Sequence, residues 1–287
     1  MEMKIFFSNF ASLFNKNNTL FSILVKKVYA ILFLIMLACI GCQWQLKPHD
    51  CDADLKVSIE RYDRIESQYL TTGDYSALQQ MNTYFPQETR TLIEDVLQLG
   101  HVNDPGINHK FLHFFQDSTL QVLIGDVQQQ FANMDDINES LSQAFMRLKE
   151  ELPSVEIPEV YTQVGSFDQS IIVGNNILGI SLDKYLGADY PFYCDHYTER
   201  QRQMMTRSMI VPDCLGFYIL SLFPLPNQEH LTQADRDIHM GKIQWVVNQV
   251  MQRNIFQNNF VKGIERYMHR HQNTSFEQLL RQVNVNE

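Results

Sequence analysis

The sequence predicts a mostly helical α+β domain behind an export signal. Two observations indicate the domain: apolar residues recur at helical spacing over most of the chain, and three short β-branched runs interrupt them between residues 160 and 182. A short apolar segment behind two lysines indicates export. Helices in number around a small β-meander are an α+β arrangement. Because no repeat or clear linker follows residue 54, we expect one domain over residues 55–287.

The N-terminal segment has the parts of a bacterial lipoprotein signal. Lys26 and Lys27 precede an apolar run at 28–40, which is shorter than the roughly 20 residues needed to cross a bilayer core. Gly41 and Cys42 follow, and a cysteine behind a small residue at the end of such a run resembles a lipobox. In a lipobox the thiol receives the lipid and becomes the first residue of the mature chain.

We therefore predict a signal peptide at 1–41, lipidation of Cys42 by acyl chains such as palmitate, and a lipidated tether at 42–54. Cys39 is the alternative acceptor, but Cys42 makes use of the whole apolar run. An ordinary cleaved signal and a retained N-terminal helix are the alternatives to lipidation. Acyl chains at Cys42 would anchor the domain stably to a membrane.

The charge of the mature chain excludes some classes of partner. The whole sequence has 23 basic and 33 acidic side chains. Residues 1–41 carry four of the lysines and one of the glutamates, which leaves 19 basic and 32 acidic side chains, a net charge of −13. Nucleic acids and anionic membrane surfaces attract basic patches, so we expect neither as a partner. The membrane is expected as a partner only through the lipid anchor.

The remaining cysteines do not define a disulfide framework. With Cys42 lipidated, at most one disulfide can form among Cys51, Cys194 and Cys214. Cys194 and Cys214 are the candidate pair in an oxidising compartment, although buried or unreactive thiols are the simpler interpretation. No pair has C-x-x-C spacing, so neither a zinc knuckle nor a thioredoxin-like redox site is expected.

The first half of the domain is predicted to be one strand followed by helices. The alternation of Leu55, Val57 and Ile59 with polar residues predicts a half-buried strand. Asp74 is a candidate cap for a helix that ends near Pro86. The spacing of apolar residues then predicts further helices within 92–97, 111–115, 120–131 and 137–148.

The middle of the chain changes period. Short β-branched runs at 160–165, 170–174 and 177–182 predict strands, and an Asn-Asn pair between the last two predicts a tight turn. Helices resume afterwards, because Pro212 suits the first turn of one helix and Thr232 is a candidate cap for the next.

Five short motifs occur in order along the chain. They are Ile59-Glu-Arg-Tyr-Asp63, Pro158-Glu-Val-Tyr-Thr162, Ile177-Leu-Gly-Ile-Ser-Leu-Asp-Lys-Tyr-Leu-Gly187, Val211-Pro-Asp213 and Met240-Gly-Lys-Ile243. This set resembles the gliding-motility lipoprotein GldB family of Bacteroidota over about residues 55–251, and the block at 178–187 is its most specific part. Members of that family continue with a Trp- and Asn-Glu-containing region, where this chain has a short polar tail with helical spacing.

The resemblance implies a lipoprotein of the cell envelope, lipid-anchored to the outer membrane. It also implies association with the motility and secretion machinery, so we expect an accessory or binding component with other envelope proteins as partners. The absence of an acidic run directly after Cys42 favours a chain that faces the periplasm. A plain structural domain in a species that does not glide is a further alternative.

The family is also distantly similar to zinc metallopeptidases of the zincin type, which place an H-E-x-x-H helix after a strand meander. This likeness implies a degenerate zincin-like fold, because the corresponding helix, beginning at Val211, contains no histidine. We therefore expect a non-enzymatic protein with no catalytic residues, no metal and no cofactor. The alternative is a zincin-related metallopeptidase, or another hydrolase, with an unrecognised site.

Several histidines have the spacing or the neighbours of metal ligands, but we expect them to be structural or solvated. His109 and His113 are one helical turn apart, yet Lys110 stands at the position of the catalytic glutamate. Two histidines on an aromatic helix are more often partly buried structural groups. The other candidates lie near helix ends and are His230 and His239, beside Asp235 and Asp237, and His269 with His271.

A loop at 183–196 combines acids with tyrosines. Its aspartates Asp183, Asp189 and Asp195 could hold calcium or do acid–base chemistry, but turn chemistry already accounts for acids in such a loop. We expect a contact surface instead, because aromatic residues are enriched at interfaces. The candidate contact residues are Tyr185, Asp189 and Tyr190. Replacing the two tyrosines with Ala is expected to weaken partner capture without unfolding the domain.

Overall fold

The computed structural model describes residues 57–226 and 231–282. Within these ranges the chain folds as helices around one four-stranded sheet, which confirms the predicted α+β class. The predicted signal peptide, both candidate lipid acceptors, the tether and Cys51 lie outside the described residues, and so does His230.

The α-helices take up most of the described chain. In order they are α1 (Tyr62–Thr72), α2 (Tyr75–Tyr84), α3 (Pro86–Arg90), α4 (Ile107–Phe114), α5 (Ser118–Gln130), α6 (Asp135–Glu151), α7 (Pro191–His196), α8 (Glu199–Arg202), α9 (Ile210–Leu222), α10 (Gln233–Met251), α11 (Asn259–Arg270) and α12 (Phe276–Arg281). A π-helical segment at Thr91–Val96 continues α3, and 3₁₀ turns lie at Leu182–Lys184 and Arg207–Met209.

The sheet is mixed, and its strand order differs from that of a simple meander. The strands are β1 (Ile59–Glu60), β2 (Glu159–Gln163), β3 (Ile171–Val173) and β4 (Ile177–Ser181), in the order β1-β2-β4-β3. β3 and β4 form the predicted antiparallel hairpin, whose turn contains Asn176 at a φ of 60°. β2 pairs in parallel with β4 rather than with β3, because all five residues of β2 find partners along the five-residue β4. β1 adds in parallel to the other side of β2.

Several predicted helix starts are confirmed. The Asp74 carboxylate accepts a hydrogen bond from the Ser76 N–H at 2.8 Å, and Thr232 opens α10 with a capping box. Pro86 not only ends α2 but also occupies the first turn of α3, while Pro212 lies in the first turn of α9 as expected. None of the helices in the described ranges combines the length and the apolarity that crossing a membrane requires.

α1 is a helix that the apolar pattern does not predict. Its buried side chains include Asp63, Glu66 and Ser67 beside Tyr62 and Leu70. Acids and a hydroxyl therefore occupy positions where apolar residues would normally mark the core-facing stripe of a helix. These buried acids explain why the apolar pattern does not predict the helix, and they also belong to the site described below.

The C-terminal helices dock against α10. α11 and α12 both pack on it, and a Cβ atom on Gly241 of α10 would lie only 2.7 Å from the Cβ of Phe260. The polar tail predicted from the sequence is thus two ordered helices that bury Val261, Ile264 and Leu279 in the hydrophobic core.

Candidate functional site

The carboxyl edge of the sheet carries the candidate site. β1, β2 and β4 are parallel, so all three end at this edge. α1 follows β1, the loop at 164–170 follows β2, and the 3₁₀ turn at Leu182–Lys184 follows β4. In sheets with parallel strands, binding sites form outside the carboxyl ends of the strands, so this edge is where function is expected.

Three fully buried carboxylates lie under this edge, and each holds backbone or side chains of a neighbouring element. Asp63 receives the Arg61 guanidinium in a two-pronged contact at 2.8 and 2.9 Å, and also a hydrogen bond from the Thr162 hydroxyl. Glu66 accepts the Val164 N–H at 2.9 Å. Charged groups at zero exposure need such partners to be tolerated in a core.

Asp183 is the third carboxylate, and it organises the loop that follows β2. Its two oxygens accept the N–H groups of Gly165 at 2.7 Å and Phe167 at 2.6 Å. Burial raises the pKa of Asp183, while these two N–H groups act in the opposite direction. Burial also raises the pKa of Glu66 well above its usual value, and its Oε1 has no hydrogen-bond partner among the described residues.

The loop at 164–170 is strained where Asp183 holds it. Ser166 and Phe167 both have positive φ values, of 54° and 69°. Consecutive left-handed residues without a glycine are uncommon, and a bulky side chain such as Phe167 adopts this conformation only when its surroundings impose it. Such strain is concentrated at functional sites, which makes this loop the most distinctive backbone feature of the edge.

An aromatic stack extends from the strained loop to the surface. The rings of Phe167 and Phe192 are parallel, with centroids 3.9 Å apart. The His196 ring also stacks on Phe192, with centroids 4.1 Å apart. The Lys184 ammonium donates to the Phe167 carbonyl at 2.9 Å and lies over the Tyr197 ring. The stack ends at the exposed His196, so the rigid loop presents a preformed aromatic and polar surface.

The three expected contact residues have different surroundings. Tyr185 is only 1% exposed and donates a hydrogen bond to Asp213 at 2.9 Å, so its side chain lies in the core and cannot touch a partner from this position. Tyr190 is half-buried and donates to Asp126 at 2.9 Å, whereas Asp189 is fully exposed. The expectation that Tyr185 is part of a surface is corrected: replacing it with Ala would remove a core ring.

The burial of Asp213 should make stability depend on pH. Burial raises the pKa of Asp213 from 3.8 to about 7, although the Tyr185 hydroxyl favours the charged form. Between about pH 4 and pH 7 the native state then holds a proton that the unfolded chain has released, so the free energy of unfolding falls as the pH rises through this window. We expect Asp213→Asn to remove this part of the decline, because an amide does not titrate in this range. Tyr185 can still donate to the amide oxygen, so the contact itself is kept.

Urea unfolding of both proteins across this pH range measures the effect. Glu66 and Asp183 also have raised pKa values and contribute with the same sign, but they are present in both proteins. The difference between the two curves therefore isolates Asp213, and parallel curves would contradict the prediction.

A comparison with protein-family models identifies the chain at this point. The model of the gliding motility protein GldB matches residues 43–256, about three quarters of the sequence. The chain belongs to the GldB family. No curated protein and no solved structure matches it significantly. GldB membership indicates a gliding-motility lipoprotein of the cell envelope and confirms the resemblance drawn from the sequence motifs.

The GldB match covers the whole carboxyl edge and ends before the last helices. It includes Asp63, Glu66, Asp183 and the loop at 164–170, while α11 and α12 lie beyond residue 256. The three buried acids and the strained loop therefore lie within the matched region, and the docked C-terminal helices lie outside it.

The remaining acids and cysteines of the loop do not converge. Asp183 is buried, whereas Asp189 and Asp195 are exposed. In the described ranges, no three or more His, Cys, Asp or Glu side chains are arranged to hold a metal ion.

Cys194 is exposed on α7 and Cys214 is buried in α9, and both thiols are free. The candidate disulfide between them is therefore wrong, because one thiol faces solvent and the other faces the core.

The histidines agree with expectation only in part. His239 is 3% exposed and donates from Nε2 to the Phe223 carbonyl at 2.8 Å, so it is not part of a surface charge cluster with Asp235 or Asp237. His269 and His271 are exposed at the end of α11, as expected. The pair on α4, which was expected to be partly buried, has both rings exposed.

Sequence reasoning missed Glu66 as a site residue. Its signal was available, because Asp63, Glu66 and Leu70 have the spacing of one helix face and the first two are acids. An acid on the predicted buried face of a helix is expensive unless it has a defined partner. The partner is the backbone N–H of Val164, directly after β2, which sequence spacing does not reveal.

Proposed function

We propose that this chain is a non-enzymatic lipoprotein of the envelope motility and secretion machinery, held to the outer membrane by acyl chains on Cys42 and facing the periplasm. The observation that supports this proposal most is the GldB match, which starts at residue 43, directly behind the candidate acceptor. The domain then acts by binding other envelope proteins, and the carboxyl edge of the sheet is its contact surface.

The physical character of the carboxyl edge supports a contact role. Asp168, Asp189 and Asp195 are exposed in the chain segments that carry the aromatic stack, and Phe192 of the stack is half-buried. Arg202 lies 3.9 Å from Asp189, so Asp168 and Asp195 are the acids left to meet a partner's charge. Asp183 and Lys184 fix the loop from below, which lowers the entropy lost when a partner binds. A basic surface on the partner would complement these charges, and the complex would weaken as salt rises.

Lipidation is tested by metabolic labelling with a palmitate analogue, followed by membrane flotation. We expect Cys42→Ala to lose the label and the membrane association, because acyl chains need the thiol. Cys39→Ala is the matched control and should retain both. Label lost in Cys39→Ala but kept in Cys42→Ala would move the acceptor to Cys39, and an unlabelled wild type would contradict the lipoprotein proposal.

Partner binding is tested with a photo-crosslinkable amino acid at position 189 in cells. We expect crosslinks to envelope proteins at this position, since Asp189 is fully exposed on the proposed surface. Position 84 is the control. Tyr84 is also exposed, at 72%, but it lies on α2, which is distant in sequence from the loops of the carboxyl edge. Equal crosslinking at both positions, or none at position 189, would remove the carboxyl edge as the contact surface.

A further inference from the structure

The two histidines of α4 are placed as a metal-chelating pair. His109 and His113 are one turn apart, their rings are inclined by only 25°, and the ring centroids are 6.2 Å apart. Both side chains are exposed, so water-borne ions reach them. Residues at i and i+4 lie on the same helix face, which is the arrangement by which two imidazoles grip one metal ion.

A second observation concerns the tautomer of His113. Its Nδ1 lies 3.0 Å from the Oε1 atom of Gln116, and an amide oxygen only accepts hydrogen bonds. With the Gln116 amide in this orientation Nδ1 carries the proton, which leaves the lone pair on Nε2, the nitrogen farther from the backbone. A hydrogen bond of this type is how metal-binding histidines are usually oriented by the groups behind them.

The lysine between the two histidines does not obstruct the pair. The Lys110 ammonium donates to the carbonyl of Leu99, in the segment that precedes α4. Its ammonium group is therefore already engaged by a backbone carbonyl. The position that holds the general base in H-E-x-x-H peptidases is occupied by this lysine, so this position supplies no carboxylate to activate water on a bound ion.

We propose that His109 and His113 form a surface site for a transition-metal dication that prefers imidazole, namely Cu²⁺, Ni²⁺ or Zn²⁺. Two nitrogens come from the chain and water completes the coordination. Because the order of affinity for nitrogen sites rises toward Cu²⁺ and falls again at Zn²⁺, Cu²⁺ should bind most tightly. The site binds metal without hydrolytic chemistry, and it does not depend on the contact role proposed for the carboxyl edge.

The test is metal titration of the mature chain purified without a polyhistidine tag. Cu²⁺ and Zn²⁺ are added singly, and binding is followed by calorimetry and, for Cu²⁺, by electron paramagnetic resonance. We expect one ion per chain at this site, a copper spectrum with two imidazole nitrogens, and a loss of affinity of about tenfold or more in His109→Ala and in His113→Ala. Each single variant should show one imidazole nitrogen in the spectrum.

The chain offers a matched control at the end of α11. His269 and His271 are also exposed, but residues two apart do not share a helix face. The double variant His269→Ala/His271→Ala should therefore bind Cu²⁺ as the wild type does. Affinity that falls only in this double variant, or that is unchanged within twofold in both α4 variants, would overturn the proposal, as would a wild type that binds no metal.

Discussion

Replacing Asp183 with Ala is expected to lower the free energy of unfolding by about 3–5 kcal/mol. The Asp183 carboxylate is fully buried and accepts the N–H groups of Gly165 and Phe167, one on each oxygen. Alanine leaves both N–H groups buried without an acceptor, and each such group costs on the order of 1–3 kcal/mol. The left-handed conformation of Ser166 and Phe167 also loses the group that imposes it.

Urea denaturation of the two proteins measures this loss, and limited proteolysis within residues 164–170 reports release of the loop. Asp189→Ala is the control, because this fully exposed aspartate belongs to the same region of the chain and should change stability by less than about 0.5 kcal/mol. Asp183→Asn should be intermediate, since an amide keeps only one of the two acceptor oxygens. Equal stability of the two alanine variants would show that Asp183 does not hold the loop.

If Asp183 holds the proposed contact surface, its loss should affect binding as well as stability. The loop carries Phe167, and the stack on Phe192 depends on the position of that ring. A partner that recognises the preformed surface would then bind Asp183→Ala more weakly even at temperatures where the domain remains folded. The two effects are separable, because Asp189→Ala should weaken binding through charge while leaving stability unchanged.

The parts of the fold that sequence predicted are those set by local chemistry. Asp74 and Thr232 cap their helices because a side-chain oxygen next to the first helical N–H groups needs no information from elsewhere in the chain. The β3–β4 hairpin is equally local, since an Asn in the left-handed region closes its turn. GldB family membership was also accessible, because short motifs retain their order along the sequence.

What sequence could not predict depends on contacts between distant segments. β2 lies beside β4 through a register that joins residues 18 apart, such as Tyr161 and Gly179, and no local rule specifies it. Tyr185 appeared to be a surface residue because its loop is polar, yet Asp213 from α9 binds its hydroxyl in the core. The buried acids Asp63 and Glu66 made α1 unrecognisable for the same reason, because their partners Thr162 and Val164 come from β2 and the loop directly after it.

The last prediction concerns the parallel pair of strands β2 and β4 and the substitution Gly179→Ala. A Cβ atom on Gly179 would lie 2.5 Å from Cζ of the Tyr161 ring, which faces it across the β2–β4 ladder. The ring has little room to retreat, because it is 2% exposed and the Tyr62 ring packs edge-on against it at 6.2 Å. We expect a loss of about 2–4 kcal/mol in the free energy of unfolding, measured by urea denaturation.

The sign of this effect makes the test informative. Glycine normally weakens a strand, so alanine would stabilise β4 by up to about 1 kcal/mol if Tyr161 did not occupy the space. Adding Tyr161→Leu removes the ring from the position of the new methyl group and also removes a hydroxyl that has no partner among the described residues. The double variant should therefore be more stable than the sum of the single effects predicts, by at least about 1 kcal/mol. If the two effects simply add, the Tyr161 ring and the space at Gly179 are not energetically coupled. The parallel register of β2 and β4 would then be fixed by other contacts.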